Sequence, residues 1–132
     1  MSFLLDTDIC SAYLKNDPTV VGKVMLHFGA LQISVITLGE LLTWAKRAKA
    51  PPGRLQGVQD FLKATNLLEI TKPISEKFGE IRAGLLDQGL VVGQMDLLNA
   101  STALVHNLTL VTHNVADYAN IPGLTVVDWQ IL

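Results

Sequence analysis

Short runs of apolar, often β-branched residues alternate along the chain with longer stretches in which apolar residues recur every three or four positions. Each short run is typical of a buried strand in a parallel sheet, because such a strand is covered on both faces. The runs that predict strands are 3–5, 31–36, 67–71, 108–114 and 124–129.

The longer stretches predict amphipathic helices, whose apolar stripe faces the core of the protein. In one of them Phe78, Ile81 and Leu85 share a face, and in another the stripe runs from Val20 to Phe28. The stretches that predict helices are 11–14, 20–28, 37–48, 54–64, 74–87 and 95–106.

Strands that alternate with helices predict right-handed βαβ units. The fold class is therefore predicted as α/β: a parallel sheet with helices on both faces, in a Rossmann-like arrangement of three layers. The 132 residues suffice for one domain with a core. Because 49% of the residues are apolar and only 17% are charged, we expect a globular chain rather than a disordered one. The absence of a linker or repeat predicts a single domain over residues 1–132.

Charge and cysteine content narrow the class of protein further. A net charge of -2 gives no global sign of a charge-driven nucleic-acid binder, although a local basic patch would still serve. The one cysteine, Cys10, cannot form an internal disulfide, which fits a reducing cytoplasm. No segment has the pattern of a signal peptide or a membrane span, so we expect a cytoplasmic protein.

Acidic side chains follow several of the predicted strands at the point where each strand ends. In an open parallel sheet these carboxyl ends form the ligand-binding edge, so side chains from distant segments meet there. Clustered carboxylates repel one another unless a cation lies among them, and oxygen ligands favour Mg²⁺ or Mn²⁺ over zinc. The residues at this predicted edge are Asp6, Glu40, Asp96, Thr112, His113, Asn114 and Asp117.

Each of these acids also has an ordinary structural explanation. Asp6 and Asp8 could begin a turn. Glu40 fits a capping box in which Thr37 is the N-cap of a helix. Asp96 could complement a helix dipole. Asp117 could be an ordinary solvated acid of a loop. The joint appearance of four acids at one predicted edge favours a site.

Four motifs along nearly the whole chain resemble those of one family. "LLDTDI" is similar to an opening motif of hydrophobic residues and D-T-N, and "SVITLGELL" to T-x-x-E-L. "GLVVGQMDLLNASTAL" resembles G-x-x-D-x-x-I-A, and "LTLVTHNVADYANIPGLTVVDW" resembles the ending T-x-N, an acid before an aromatic, I-P-G-L and D-W. The chain thereby resembles PIN-domain ribonucleases, and within them the VapC-type toxins of type II toxin–antitoxin pairs.

The resemblance implies an endoribonuclease that hydrolyses RNA phosphodiesters with Mg²⁺, for which Mn²⁺ can substitute. Its implied catalytic and metal-binding residues are Asp6, Glu40, Asp96 and Asp117, with Thr112 and Asn114 in support. The resemblance also implies a homodimer and a VapB-type antitoxin whose tail covers the acidic cleft. A stand-alone RNA-processing PIN nuclease is the alternative within the family.

This chain departs from the family's usual pattern at three positions. Asp8 stands where asparagine is usual, Asn99 where an apolar residue is usual, and Ser101 where alanine is usual. These departures leave the four main acids intact, and the role of Asp8 stays open.

RNA must also be held, and a basic stretch could do this. Lys46, Arg47, Lys49 and Arg54 lie in a segment without acids, and such a patch would bind backbone phosphates without reading bases. The alternative explanation is an ordinary solvated helix face.

Two other chemistries compete with the nuclease. A haloacid dehalogenase-type phosphatase would use Asp6 as nucleophile and Asp8 as acid/base. That chemistry also needs a lysine at a later strand end and a pair of acids, which this chain lacks, and it leaves Glu40 and Asp96 without a role. A response-regulator receiver would need an aspartate that ends a central strand and a late lysine, and neither is visible in the sequence.

Overall fold

Strands and helices alternate in a computed structural model that describes residues 2–131, so that the two end residues of the predicted domain lie outside it. A short 3-10 turn, Val115–Tyr118, precedes the last strand. The strands are β1 (Phe3–Leu5), β2 (Leu31–Ser34), β3 (Asn66–Leu68), β4 (Thr109–Val111) and β5 (Val126–Val127). The helices are α1 (Thr7–Leu14), α2 (Pro18–Leu26), α3 (Val35–Ala45), α4 (Arg54–Lys63), α5 (Lys72–Asp87) and α6 (Gln94–His106).

The five strands form one parallel sheet in the order β3-β2-β1-β4-β5, with β1 in the centre. From β1 the chain builds outward first through β2 and β3 and later through β4 and β5. The order therefore reverses beside β1, and such a switch point opens a crevice at the carboxyl ends of the strands. Leu5 of β1 is in register with Val111 of β4, which places Asp6 beside Thr112 at this edge.

Helices cover both faces of the sheet, as the alternation of side chains along a strand requires. On one face Phe3 and Leu5 pack with buried residues of α1 to α4. On the other face Leu4 and Leu110 pack with buried residues of α5 and α6. The predicted α/β fold, a parallel sheet between two helical layers, is thus confirmed. No helix within residues 2–131 combines the length and apolar character needed to cross a membrane.

Several predicted ends of strands and helices are wrong, and two of these errors change the role expected of a side chain. The helix α3 begins at Val35 rather than at Thr37, because Ser34 at the end of β2 is its N-cap and accepts a hydrogen bond from the Thr37 backbone N–H at 3.2 Å. Glu40 is therefore one turn too deep in the helix to form a capping box. The helix α2 ends at Leu26, so Phe28 lies beyond it and is 46% exposed rather than buried.

Candidate active site

Asp6 lies at the centre of the acidic edge, directly after β1. It is the N-cap of α1, since its Oδ1 accepts a hydrogen bond from the Thr7 backbone N–H at 2.9 Å. The same oxygen accepts a bond from Asn99 Nδ2 at 3.3 Å. Its Oδ2 accepts bonds from the hydroxyls of Thr112 at 3.0 Å and Tyr118 at 2.7 Å. The segment after Asp6 is thus a helix rather than a simple turn, and three distant segments also hold this carboxylate.

Asp96, in the first turn of α6, is linked to Asp6 through Tyr118. The buried Tyr118 hydroxyl lies 2.7 Å from Asp6 Oδ2 and 3.3 Å from Asp96 Oδ1. Burial raises the pKa of Asp96, and so do the charges of Asp6, Asp117 and Glu40, whereas the Tyr118 hydrogen bond opposes the rise. One proton therefore lies between two carboxylates that repel each other.

The two remaining acids flank this pair and are exposed. Glu40 projects from α3 and accepts a hydrogen bond from the Thr7 hydroxyl at 2.6 Å. Asp117 lies on the 3-10 turn, one residue before Tyr118. The negative charges of Asp117 and Glu40 add to the rise in the pKa of Asp96, after the larger effects of burial and Asp6.

Asp8 supports the loop after β4. Its Oδ2 accepts hydrogen bonds from the His113 backbone N–H at 3.0 Å, from Asn114 Nδ2 at 3.2 Å and from the Thr112 hydroxyl at 3.3 Å. Burial, and then the charge of Asp6, raise the pKa of Asp8. Its Oδ1 is buried and has no hydrogen-bond partner within residues 2–131. Asp8 thus ties α1 to the segment that carries two of the predicted supporting residues.

Two polar residues of the site have roles that the sequence did not predict. In the sequence Tyr118 is only the aromatic residue that follows an acid in the last motif. Its hydroxyl, which a phenylalanine would lack, is the signal that indicates a hydrogen-bonding role. Asn99 was recognised only as a departure from an apolar pattern. It is 1% exposed, and a fully buried amide in a helix indicates a hydrogen-bond network.

The donor set of the edge fits a hard cation. The acids offer only oxygen ligands, which Mg²⁺ prefers. The ion pairs within residues 2–131 are Lys63–Asp60, Lys77–Glu80 and His113–Asp128, so none of them neutralises the four acids. In the described side-chain positions, no three acidic, histidine or cysteine residues of this part of the chain converge on one point. Asp6 and Asp96 form the linked pair, and the side chains of Glu40 and Asp117 are exposed beside them. That these acids bind a cation stays a prediction.

The four basic candidates differ in their surroundings. Lys46, Arg47 and Lys49 are exposed just beyond α3. Arg54 stacks its guanidinium 4.2 Å from the centre of the Trp44 ring and donates to the Trp44 backbone carbonyl at 3.2 Å. Arg54 therefore has a packing role in this structure. Trp44 itself is partly buried and packs against the hydrophobic core.

Comparisons with known proteins define the class of this chain. Residues 3–123 match the PIN domain. The chain is 33% identical to the tRNA(fMet)-specific endonuclease VapC of Shigella flexneri, over 98% of this chain and 99% of that protein. The chain belongs to the VapC ribonucleases of the PIN-domain family.

Solved structures of such proteins have the same fold. The DNA-bound VapBC of Salmonella typhimurium contains a chain that is 33% identical, with a TM-score of 0.91 and 98% of both chains covered. The VapBC2 of Rickettsia felis, bound to a DNA fragment from its promoter, matches at 30% identity with a TM-score of 0.89, over 98% of this chain and 99% of that one.

Proposed function

We propose that this chain is a Mg²⁺-dependent endoribonuclease that acts as the toxin of a toxin–antitoxin pair. The observation that carries the proposal is the link between Asp6 and Asp96 through the Tyr118 hydroxyl, at the switch point of the sheet. These two carboxylates share one hydroxyl donor in a partly buried crevice, and no ion pair of the described residues involves them. Such a site favours a divalent cation.

Asp6, Asp96, Glu40 and Asp117 are the residues that would hold Mg²⁺ or Mn²⁺. When bound, a divalent cation offsets the negative charge that develops on the phosphate oxygens during hydrolysis. Four hydrogen bonds orient the Asp6 carboxylate before a cation binds. The flanking acids are exposed and can adapt to the cation.

The surroundings of Asp8 support a nuclease over a phosphatase. A phosphatase would need Asp8 as a proton donor to the substrate. Instead, Oδ2 of Asp8 accepts three hydrogen bonds from the loop after β4, and its Oδ1 is buried. Oδ2 of Asp8 is thus engaged in supporting the loop.

The substrate and partners follow from the class. RNA is the substrate, and Lys46 and Lys49, exposed beyond the helix that carries Glu40, would bind its phosphates. The VapBC neighbours were solved as complexes, which supports a VapB-type antitoxin as partner of this chain. A homodimer and a cytoplasmic location complete the proposal. Because one relative is named for tRNA(fMet), that tRNA is the first substrate to test.

Cleavage assays on the purified chain test the activity. With Mg²⁺ the wild type should cut tRNA(fMet) or another RNA in a total RNA preparation, and EDTA should stop the reaction. Asp6→Asn and Asp96→Asn should abolish cleavage while circular dichroism stays unchanged. Asp87→Asn, an exposed acid at the end of α5, is the matched control and should remain active. If the two site variants stay folded and still cut RNA, the assignment of the site is wrong.

Expression in cells tests the toxin role. The wild type alone should arrest growth, and Asp6→Asn should relieve the arrest, as should co-expression of a short reading frame adjacent to the gene. Cleavage in vitro without growth arrest would favour the stand-alone processing nuclease. Turnover of p-nitrophenyl phosphate that vanishes in Asp8→Asn would instead favour the phosphatase.

A further inference from the structure

Asn99 connects three segments beneath the acidic edge. Its Nδ2 donates to Asp6 Oδ1 at 3.3 Å and lies 3.4 Å from the Thr37 hydroxyl, while its Oδ1 accepts a hydrogen bond from the Ser34 hydroxyl. Ser34 and Thr37 are themselves completely buried, and Ser34 is the N-cap of α3. This amide therefore couples α6 to the end of β1 and to the start of α3.

The orientation of the amide is fixed by its partners. A flipped amide would place its oxygen against the Asp6 carboxylate, where two acceptors repel each other, and would remove the acceptor of the Ser34 hydroxyl. Because the side chain is fully buried, water cannot replace the lost partners. Asn99 consequently presents an N–H group, and only an N–H group, to Asp6.

The two oxygens of Asp6 differ in the kind of donor that they meet. Oδ1 accepts from N–H groups, of Thr7 and of Asn99, which have fixed protons. Oδ2 accepts from hydroxyls, of Thr112 and of Tyr118, whose protons can rotate away. Only Oδ2 can therefore exchange its partners for a cation without leaving a buried donor unpaired.

We propose that Asn99 is a positioning residue that holds Oδ1 of Asp6 and thereby directs Oδ2 toward a divalent cation. This inference rests on the proposed function, because it concerns the same metal site. In the motif that this chain resembles, an apolar residue is usual at the position of Asn99. An apolar side chain fills the space but donates nothing to the carboxylate.

Ser101 offers a matched control on the same helix. It is also buried and also departs from the family pattern, but its hydroxyl donates to the Leu97 backbone carbonyl at 2.7 Å, within its own helix. Ser101→Ala thus removes a buried polar group of α6 without touching Asp6. A difference between variants at Asn99 and Ser101 isolates the contact with the carboxylate.

The experiment measures Mn²⁺ affinity by titration calorimetry for the wild type, Asn99→Leu and Ser101→Ala, together with the unfolding free energy of each protein in EDTA. Mutation of a residue that orients a metal ligand by a hydrogen bond typically weakens metal affinity by about 10- to 100-fold. We expect Asn99→Leu to weaken Mn²⁺ binding by about tenfold or more, and Ser101→Ala to leave it unchanged. If Asn99→Leu does not fold, Asn99→Ala gives the same comparison, since it removes the amide without adding volume.

Different results identify different failures. If the wild type binds Mn²⁺ and Asn99→Leu binds it equally well, while its unfolding free energy falls, Asn99 is a purely structural residue and the inference is overturned. If the wild type binds no Mn²⁺ at all, the metal site of the proposed function falls, and the inference falls with it. Equal weakening in Ser101→Ala would also overturn the inference, because the effect would then come from the packing of α6.

Discussion

Removal of the Tyr118 hydroxyl should change both the stability of the protein and the response of that stability to Mg²⁺. The hydroxyl donates to Asp6 Oδ2 at 2.7 Å and lies 3.3 Å from Asp96 Oδ1. Tyr118 and Asp6 are both buried. Tyr118→Phe keeps the ring and removes only the donor, so that the two carboxylates face each other without a proton between them.

The size of the effect follows from the contacts that remain. A hydrogen bond to a charged group contributes about 1.5–3 kcal/mol. Asp6 keeps its bonds from Thr7, Asn99 and Thr112, so it is not left without donors, and a loss of about 2 kcal/mol is expected. For a chain of this length each kcal/mol shifts Tm by about 4 °C, so Tm should fall by about 8 °C.

Thermal unfolding in EDTA and in saturating Mg²⁺ is the assay. In EDTA the full loss should be seen. A cation held by Asp6 and Asp96 would offset the repulsion that the Tyr118 hydroxyl reduces in the wild type. The fall in Tm caused by Tyr118→Phe should therefore shrink to less than about half in Mg²⁺. The same linkage predicts that Mg²⁺ raises the Tm of Tyr118→Phe by more than it raises that of the wild type.

Tyr13 provides the control, as it is the other tyrosine of the chain. Its ring packs against Phe61 at 5.1 Å, and its hydroxyl makes no hydrogen bond within the described residues, so Tyr13→Phe should be nearly neutral. An unchanged Tm of Tyr118→Phe in EDTA would refute the importance of the hydrogen bond. A loss of equal size with and without Mg²⁺ would refute the idea that a cation takes over the role of the hydroxyl.

Three further outcomes are expected. Asp8→Asn should raise Tm by roughly 2–5 °C at neutral pH, with Asp87→Asn as control, and a lower Tm would contradict this. Because burial and the charge of Asp6 raise the pKa of Asp8 in the folded protein, the gain in Tm should be absent below pH 3.8, the ordinary pKa, and should grow as pH rises through the raised pKa. Cys10 is completely buried, and burial raises the pKa of its thiol, so iodoacetamide should alkylate it slowly until the protein unfolds, which mass spectrometry can follow. Lys46→Gln and Lys49→Gln should each reduce the dependence of log K for RNA binding on log salt concentration, measured in EDTA, by about 0.7–1. An unchanged slope would indicate that these lysines are solvated and contact no phosphate.

The position of the acids could be read from the sequence, but their mutual contacts could not. Alternation of strands and helices places Asp6 and Thr112 at carboxyl ends of strands, whatever the strand order. That β4 lies beside β1, so that these two residues touch, depends on how the helices pack on both faces. The link from Tyr118 to Asp6 spans 112 positions of the chain, and no local pattern encodes it.

Local signals failed where two of them competed for one position. Thr37 and Glu40 match a capping box, yet Ser34 also lies three residues before Thr37 and caps the helix instead. The tertiary structure decides between them, since β2 ends at Ser34, whose side chain is completely buried. Similarly, periodicity extended α2 to Phe28, because a repeat of apolar residues does not reveal where the helix stops.

The departures at Asp8 and Asn99 act on the same carboxylate with opposite sign. Asp8 places a second negative charge near Asp6, and the two acids repel each other, as the raised pKa of Asp8 reflects after the effect of burial. Asn99 adds an N–H donor to Asp6 Oδ1, which favours the charged carboxylate. An apolar side chain at position 99 would leave Asp6 with the added repulsion and without the added donor. The buried amide thus offsets part of the electrostatic cost that Asp8 adds beside Asp6.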